Sequence, residues 1–206
     1  MEKQLTLTEI FDKAGGDKGS YFVHKNTTTN LAHNYTETYE KYMSDFRHKN
    51  INFLEIGLWC PFFPGASVSA WNEYFTDLNY FGIDIVDCSH LNKEKIEISV
   101  VDQKDYNQLN DYLLGKEKFK FIIDDGCHEE DAIIISLGNL FPHLEPGGFY
   151  FIEDLHVVDK TNLYRLKENK FYSDLLSSEQ VDFLNDNIDT CVFANEDKLC
   201  VIKKKN

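Results

Sequence analysis

At 206 residues the chain is long enough to bury one sizeable core and short for two ordinary domains. Hydrophobic residues make up 42% and charged residues 27%; no apolar run approaches the roughly 20 residues of a membrane span, and the opening Met1-Glu2-Lys3-Gln4-Leu5 lacks a secretory pattern, so a soluble cytoplasmic protein with no membrane partner is expected. Thirty-five Asp and Glu against 21 Lys and Arg give a net charge of -14, which repels a phosphate backbone and argues against nucleic acid as a partner.

Residues 5–14 suit a short helix, with Thr6 and Glu9 at capping-box spacing and Gly15-Gly16 as its stop. The following Gly16-Asp17-Lys18-Gly19 reads first as a solvated turn. Tyr35, Tyr39, Tyr42, Met43 and Phe46 recur at helical spacing, which predicts an amphipathic helix over 35–47 whose aromatic stripe packs into the core. From residue 52 strands alternate with helices. Strands are expected at 52–56, 80–85, 96–101, 119–123 and 149–152, with helices around Val68 to Phe75, Tyr106 to Leu114 and Ile133 to Leu140, and a turn at Glu145-Pro146-Gly147-Gly148. The pattern lapses over 156–172, a helix follows near 173–186, and strands 190–194 and 199–203 are spaced as a hairpin. The expected fold is an α/β, Rossmann-like single domain: a seven-stranded, mostly parallel sheet closed by a C-terminal antiparallel hairpin, as in the class I methyltransferase sheet. Within it 1–50 would form a helical cap, 51–155 the ligand-binding core, 156–187 an acceptor-side segment and 188–206 the hairpin. Cys60, Cys88, Cys127, Cys191 and Cys200 form no Cys-x-x-Cys pair and read as reduced thiols.

Ligands of open α/β sheets bind beyond the carboxyl ends of the strands, near the point where strand order reverses. Each of the five parallel strands ends in an acid: Glu55 beside Gly57, then Asp84, Asp102, Asp124 with Asp125, and Glu153 with Asp154. Such a rim suits S-adenosylmethionine. Gly57 would let the backbone approach the ligand, Asp84 would accept the ribose hydroxyls and Asp102 the adenine amino group. Glu55 would meet the ammonium end or brace the loop, and Asp124 would face the cofactor's amino end. The loop from Glu55 to Ser67 is not a G-x-G-x-x-G, so a dinucleotide fingerprint is absent. Asp125, Glu153 and Asp154 are candidate oxygen ligands for Mg²⁺. An acceptor hydroxyl held there would be acidified, and His128 is the candidate general base. Cys127 is expected to be a passive neighbour.

The runs Gly16-Asp17-Lys18-Gly19, His33-x-Tyr35-x-x-x-Tyr39, Phe53-Leu54-Glu55-Ile56-Gly57, Asp124-Asp125-Gly126-Cys127-His128 and Glu153-Asp154-Leu155-His156 together resemble metal-dependent class I methyltransferases that O-methylate sugars, of the mycinamicin VI 2''-O-methyltransferase type and related macrolide-sugar enzymes. The resemblance spans about residues 15–156. It implies S-adenosylmethionine and Mg²⁺ as cofactors, Asp125, Glu153 and Asp154 as metal ligands, His128 as base, and a small-molecule acceptor, a sugar or glycoside; homo-oligomers are compatible with it. Two departures stand out. The loop Trp59-Cys60-Pro61-Phe62-Phe63 is bulky where such enzymes often carry a second glycine, and these residues hold no counterpart of the large extra N-terminal domain of the macrolide enzymes. A metal-dependent hydrolase using the same acids, or a cofactor-binding module without turnover, are the alternatives.

Overall fold

The computed structural model describes residues 4–23, 28–58 and 65–206. Seven strands form one sheet in the order β3-β2-β1-β4-β5-β7-β6: β1 (Ile51–Ile56), β2 (Leu78–Asp84), β3 (Ile96–Val100), β4 (Phe119–Asp124), β5 (Leu144–Ile152), β6 (Ile188–Ala194) and β7 (Leu199–Lys204). The first five run parallel, and β7 is antiparallel to both β5 and β6. Strand order reverses between β1 and β4, which opens a crevice at their carboxyl ends.

Side chains alternate across each strand, so every strand feeds two cores. Phe53, Tyr80, Phe121 and Phe151 face α1 (Leu7–Ala14), α2 (Thr36–Met43) and α3 (Ala66–Tyr74) in an aromatic cluster centred on Trp71. Phe11 and Tyr39 both meet Trp71 edge-on, at centroid distances of 4.9 and 5.3 Å. Leu54, Ile56, Ile122 and Ile152 face α4 (Tyr106–Leu113), α5 (Glu130–Leu140) and α6 (Ser178–Asn187) in an aliphatic one. Each such buried side chain contributes about 1.5–3 kcal/mol of transfer free energy.

The expected helix over 35–47 divides into α2 and a 3₁₀ turn at Ser44–Phe46. Strand β5 begins at Leu144, so the segment placed in a turn lies inside the strand. A register shift against β4 between Phe119 and Phe121, with Gly147 at φ 64°, accommodates Pro146 there. Cys127, Cys191 and Cys200 are free thiols; Cys88 departs from expectation and is disulfide-bonded. The bulky stretch Trp59 to Phe63 and its Cys60 lie outside the described residues. Among the described residues no helix is long and apolar enough to cross a membrane.

Candidate functional site

The site begins with the segment after α1. Thr6 and Glu9 close a capping box at the start of this helix, and Gly15 ends it in the left-handed region at φ 76°. Asp12 then clasps the chain, accepting from the backbone N–H of Ser20 and Tyr21 at 2.7 and 3.0 Å and from the Ser20 hydroxyl at 2.6 Å. The carbonyl of Lys18 accepts from Tyr35 N and Thr36 N at 2.9 and 3.2 Å, and that of Asp17 from His33 N at 2.7 Å. These bonds fix the Asp17-Lys18 pair against the start of α2. The pair is therefore not a solvated turn: Lys18 is 2% exposed.

Alternation across the strands decides where the acids point. Glu55, Asp125 and Glu153 share parity with Phe53, Phe121 and Phe151, and all three meet Lys18 on the α1–α2 side. The ammonium contacts Asp125 Oδ2, lies 2.9 Å from Glu153 Oε1 and 3.0 Å from its Oε2, and 3.8 Å from Glu55 Oε1. Asp124 has the opposite parity. Its carboxylate accepts from Ser136 of α5, from Gln103 Nε2 at 3.1 Å and from the Tyr150 hydroxyl at 3.1 Å, away from the cavity wall.

Two of the three tyrosines of the 35–47 stripe, Tyr35 and Tyr39, have buried rings and working hydroxyls. Tyr39 donates to Glu153 Oε1 at 2.5 Å and Tyr35 to Asp154 Oδ1 at 2.7 Å. Asp154 is also ringed by imidazoles: His33 Nδ1 at 3.2 Å, His128 Nε2 at 3.5 Å and His156 Nδ1 at 4.0 Å. His128 Nε2 lies 3.7 Å from Asp125 Oδ1 as well. His128 and Asp154 both adopt positive φ, 52° and 54°, a conformation that non-glycine residues hold only where their surroundings impose it.

A cavity of about 1050 Å³ opens over this rim. Of the residues singled out in the sequence, Gly57, Asp84, Asp102, Asp125, His128 and Asp154 line it; Glu55, Asp124 and Glu153 stand behind the wall, each 2% exposed or less. Gly57 sits at φ 82°, and a Cβ there would collide with the backbone oxygen of Asp125. Asp84 is anchored by the N–H groups of Leu58 and Val86, at 2.7 and 2.8 Å. Glu55 accepts from Tyr80 and, at 3.4 Å, from Trp71 Nε1, which makes it the brace of the β1 end. Gln103 ties the β3 end to the β4 end, accepting from Cys127 N at 2.8 Å. Lys18, His33, Tyr35, Tyr39 and Gln103 were not among the residues assigned roles from sequence; the matching parity of Glu55, Asp125 and Glu153 was the available sign that a buried cation must meet them.

Four carboxylates converge here, and Lys18 is the single Lys or Arg paired with them among the described residues. Burial would discharge the ammonium, but Asp125, Glu153 and Glu55 outweigh it and keep Lys18 protonated. The negative charge left over is costly. Burial, only partly offset by Lys18, lifts the Asp125 carboxyl to about 7, and burial together with Asp125 raises Glu153 well above its ordinary range. Burial would raise Asp154 too, yet the hydrogen bonds from His33 and Tyr35 outweigh it and hold that acid below the usual carboxylate range. His128 is pushed down by burial, which keeps its imidazole neutral.

These features fit a divalent ion. Ligand atoms of Asp125, His128 and Asp154 lie within 4.8 Å of one another at the cavity wall, and the surplus acid charge is what such an ion relieves. The Gly57 cradle, anchored Asp84 and the apolar wall of Ile85, Val86 and Val101 fit a nucleoside-like ligand.

Strand order, the reversed β7 and the acid rim define the Rossmann-like class I methyltransferase fold. No protein-family profile matches the chain. It is 35% identical over 126 residues, 60% of its length, to demethylmacrocin O-methyltransferase of Streptomyces fradiae, covering 32% of that protein. Mycinamicin VI 2''-O-methyltransferase of Micromonospora griseorubida is 34% identical over 126 residues, again 60% of this chain and 32% of that protein. The chain thus spans about one third of the length of these curated relatives. Among solved structures, the MycE methyltransferase of the mycinamycin biosynthetic pathway, in complex with Mg and SAH, superposes over 99% of this chain and 55% of its own, with a TM-score of 0.78 and 23% identity.

Proposed function

We propose that the chain transfers a methyl group from S-adenosylmethionine to a hydroxyl of a sugar or glycosylated small molecule, with Mg²⁺ at the acid cluster. The observation that carries this reading is one cavity whose wall holds Gly57, Asp84 and Asp102 on one side and Asp125, His128 and Asp154 on the other. The relatives named above, O-methyltransferases by name, support it. When bound, S-adenosylmethionine supplies an electrophilic methyl on sulfonium and Mg²⁺ acidifies a coordinated hydroxyl.

The chain's own groups do the rest. Asp84, its carboxylate steadied by two backbone N–H groups, accepts the ribose hydroxyls, and Asp102 accepts from the adenine amino group. Glu55 and Asp124 brace the β1 and β4 ends. Asp125 and Asp154 present oxygen to the metal at the cavity, and Glu153, buried behind them and paired with Lys18, would be the third oxygen ligand. His128, neutral at physiological pH, takes the acceptor proton at Nε2. Residues 1–50 cap this core, and 156–187 face the acceptor, with 188–206 closing the sheet as part of the same domain.

Calorimetric titration with S-adenosylhomocysteine, followed by turnover on a panel of hydroxylated glycosides with Mg²⁺ or EDTA, tests the reading. Binding and Mg²⁺-dependent methylation are expected. A metal-dependent hydrolase would show no binding of S-adenosylhomocysteine, a module without turnover would bind and methylate nothing, and full activity in EDTA would sink the metal assignment.

A further inference from the structure

Lys18 offers a question that the methyl-transfer reading leaves open: why an ammonium is buried among acids proposed to hold a metal. Its delivery is not accidental. The Asp12 clasp, the Gly15 turn and the two backbone bonds to its carbonyl fix the chain on either side. Asp125 is divided between two neighbours, with Oδ2 on Lys18 and Oδ1 toward His128 and the cavity. Glu153 is more fully engaged. Tyr39 and Lys18 meet Oε1, and Lys18 meets Oε2.

We propose that Lys18 Nζ is a resident cation of the site, competing with a divalent ion for the charge of Asp125 and Glu153 and so setting how tightly metal is held. The proposal rests on the reading of Asp125 and Asp154, with Glu153 behind them, as a metal site. Two opposed effects follow from losing the ammonium. Asp125 and Glu153 lose a partner that orients them, which weakens metal binding. A unit positive charge also disappears from the far side of the same carboxylate that would bind the ion, while Asp125 Oδ2 and Glu153 Oε2 lose this partner and Glu153 Oε1 keeps only Tyr39. In a buried site the Coulomb effect of a whole charge one carboxylate away exceeds that of the lost orienting hydrogen bonds, because Tyr39 still holds Glu153. The net result is tighter metal binding without Lys18. Its presence lets the cluster fold before metal arrives, since buried carboxylates without a counter-charge are strongly destabilising.

The test compares Lys18→Gln, Lys18→Arg and the unaltered chain in metal-free buffer, titrated with MnCl₂ by calorimetry and by thermal melts. Mn²⁺ should bind Lys18→Gln at least about tenfold more tightly than the unaltered chain, and Lys18→Arg, which keeps the charge, within about threefold of it. If Lys18→Gln is unfolded without metal, its melting midpoint should appear and climb with Mn²⁺ more steeply than that of the unaltered chain. Equal or weaker binding by Lys18→Gln overturns the competition and leaves the metal site standing. So does a Lys18→Gln chain that stays unfolded at saturating Mn²⁺ while Lys18→Arg binds. Absence of Mn²⁺ binding in the unaltered and both variant chains overturns the metal site itself, and the competition with it.

Discussion

Gly57 is where the β1 end, the cavity and Asp125 come closest. Its positive φ favours glycine, and any Cβ meets the Asp125 backbone. Gly57→Ala should therefore cost about 1–3 kcal/mol of stability, read as a lowered melting temperature, and should weaken S-adenosylhomocysteine binding measured by calorimetry. Asp125→Ala should behave differently. Its side chain serves the metal side, so Mg²⁺-dependent turnover should vanish while S-adenosylhomocysteine affinity stays within about twofold; a parallel loss of cofactor affinity would contradict the division of roles. The acids themselves were legible in the sequence because each follows a strand. Their partners were not: a glycine-flanked Asp-Lys has the composition of a turn, and Tyr35 and Tyr39 have the spacing of core residues, since burying a ring and using its hydroxyl leave the same periodic trace. The separation of Asp124 from Asp125 was legible in principle, as neighbouring strand residues face opposite sides.

Helix α1 matters for more than its packing, since its end launches the Lys18 segment. Thr6→Ala removes the cap bond from Glu9 N and should cost about 1 kcal/mol, a fall of roughly 2–4 °C in melting temperature for a chain of this size. On β7, Lys204 is buried with its ammonium donating to the carbonyls of Phe141, Pro142 and Leu144 at 3.3, 3.0 and 2.9 Å. Burial, with Lys118 adding to it, lowers its pKa from 10.5 to about 8. A base with a depressed folded pKa burdens the native state below that value, and the burden lifts as pH rises from about 8 toward the unfolded value near 10.5, because the unfolded chain then binds more protons. The stability of the unaltered chain relative to Lys204→Met, measured by urea denaturation, should accordingly increase across pH 8 to 10.5; a flat difference would contradict it. Helix and strand identities were readable from periodicity, but the start of β5 was not. Pro146 and two glycines carry the signature of a turn, and only the offset against β4 absorbs them into a strand.

At the scale of the whole protein, three carboxylates converging on one ammonium where a ligand is proposed to bind link ligand occupancy to folding. Ligands that bind only the folded chain add about 2.7 kcal/mol at one hundred times their dissociation constant. Mg²⁺ should therefore raise the melting temperature by several degrees beyond what NaCl at matched ionic strength achieves, and the increment should disappear in Asp125→Ala. The seven-strand sheet was legible from βα alternation and the closing hairpin spacing. The strand order was accessible only through the resemblance, because periodicity tells which residues form a strand and not which strands are neighbours.

Strand β7 lies between β5 and β6, and this order has a consequence for biosynthesis. A nascent chain that has emerged only through α6 has all five parallel strands but leaves the β5 edge bare, with Phe149, Tyr150, Phe151 and Ile152 lacking the partners that Lys203, Ile202, Val201 and Cys200 later provide. An open apolar edge of this kind templates association with other chains. Any delay in docking β7 after α6 has formed would hold the protein at its most aggregation-prone stage, when chaperone cover over β5 has the greatest effect on yield.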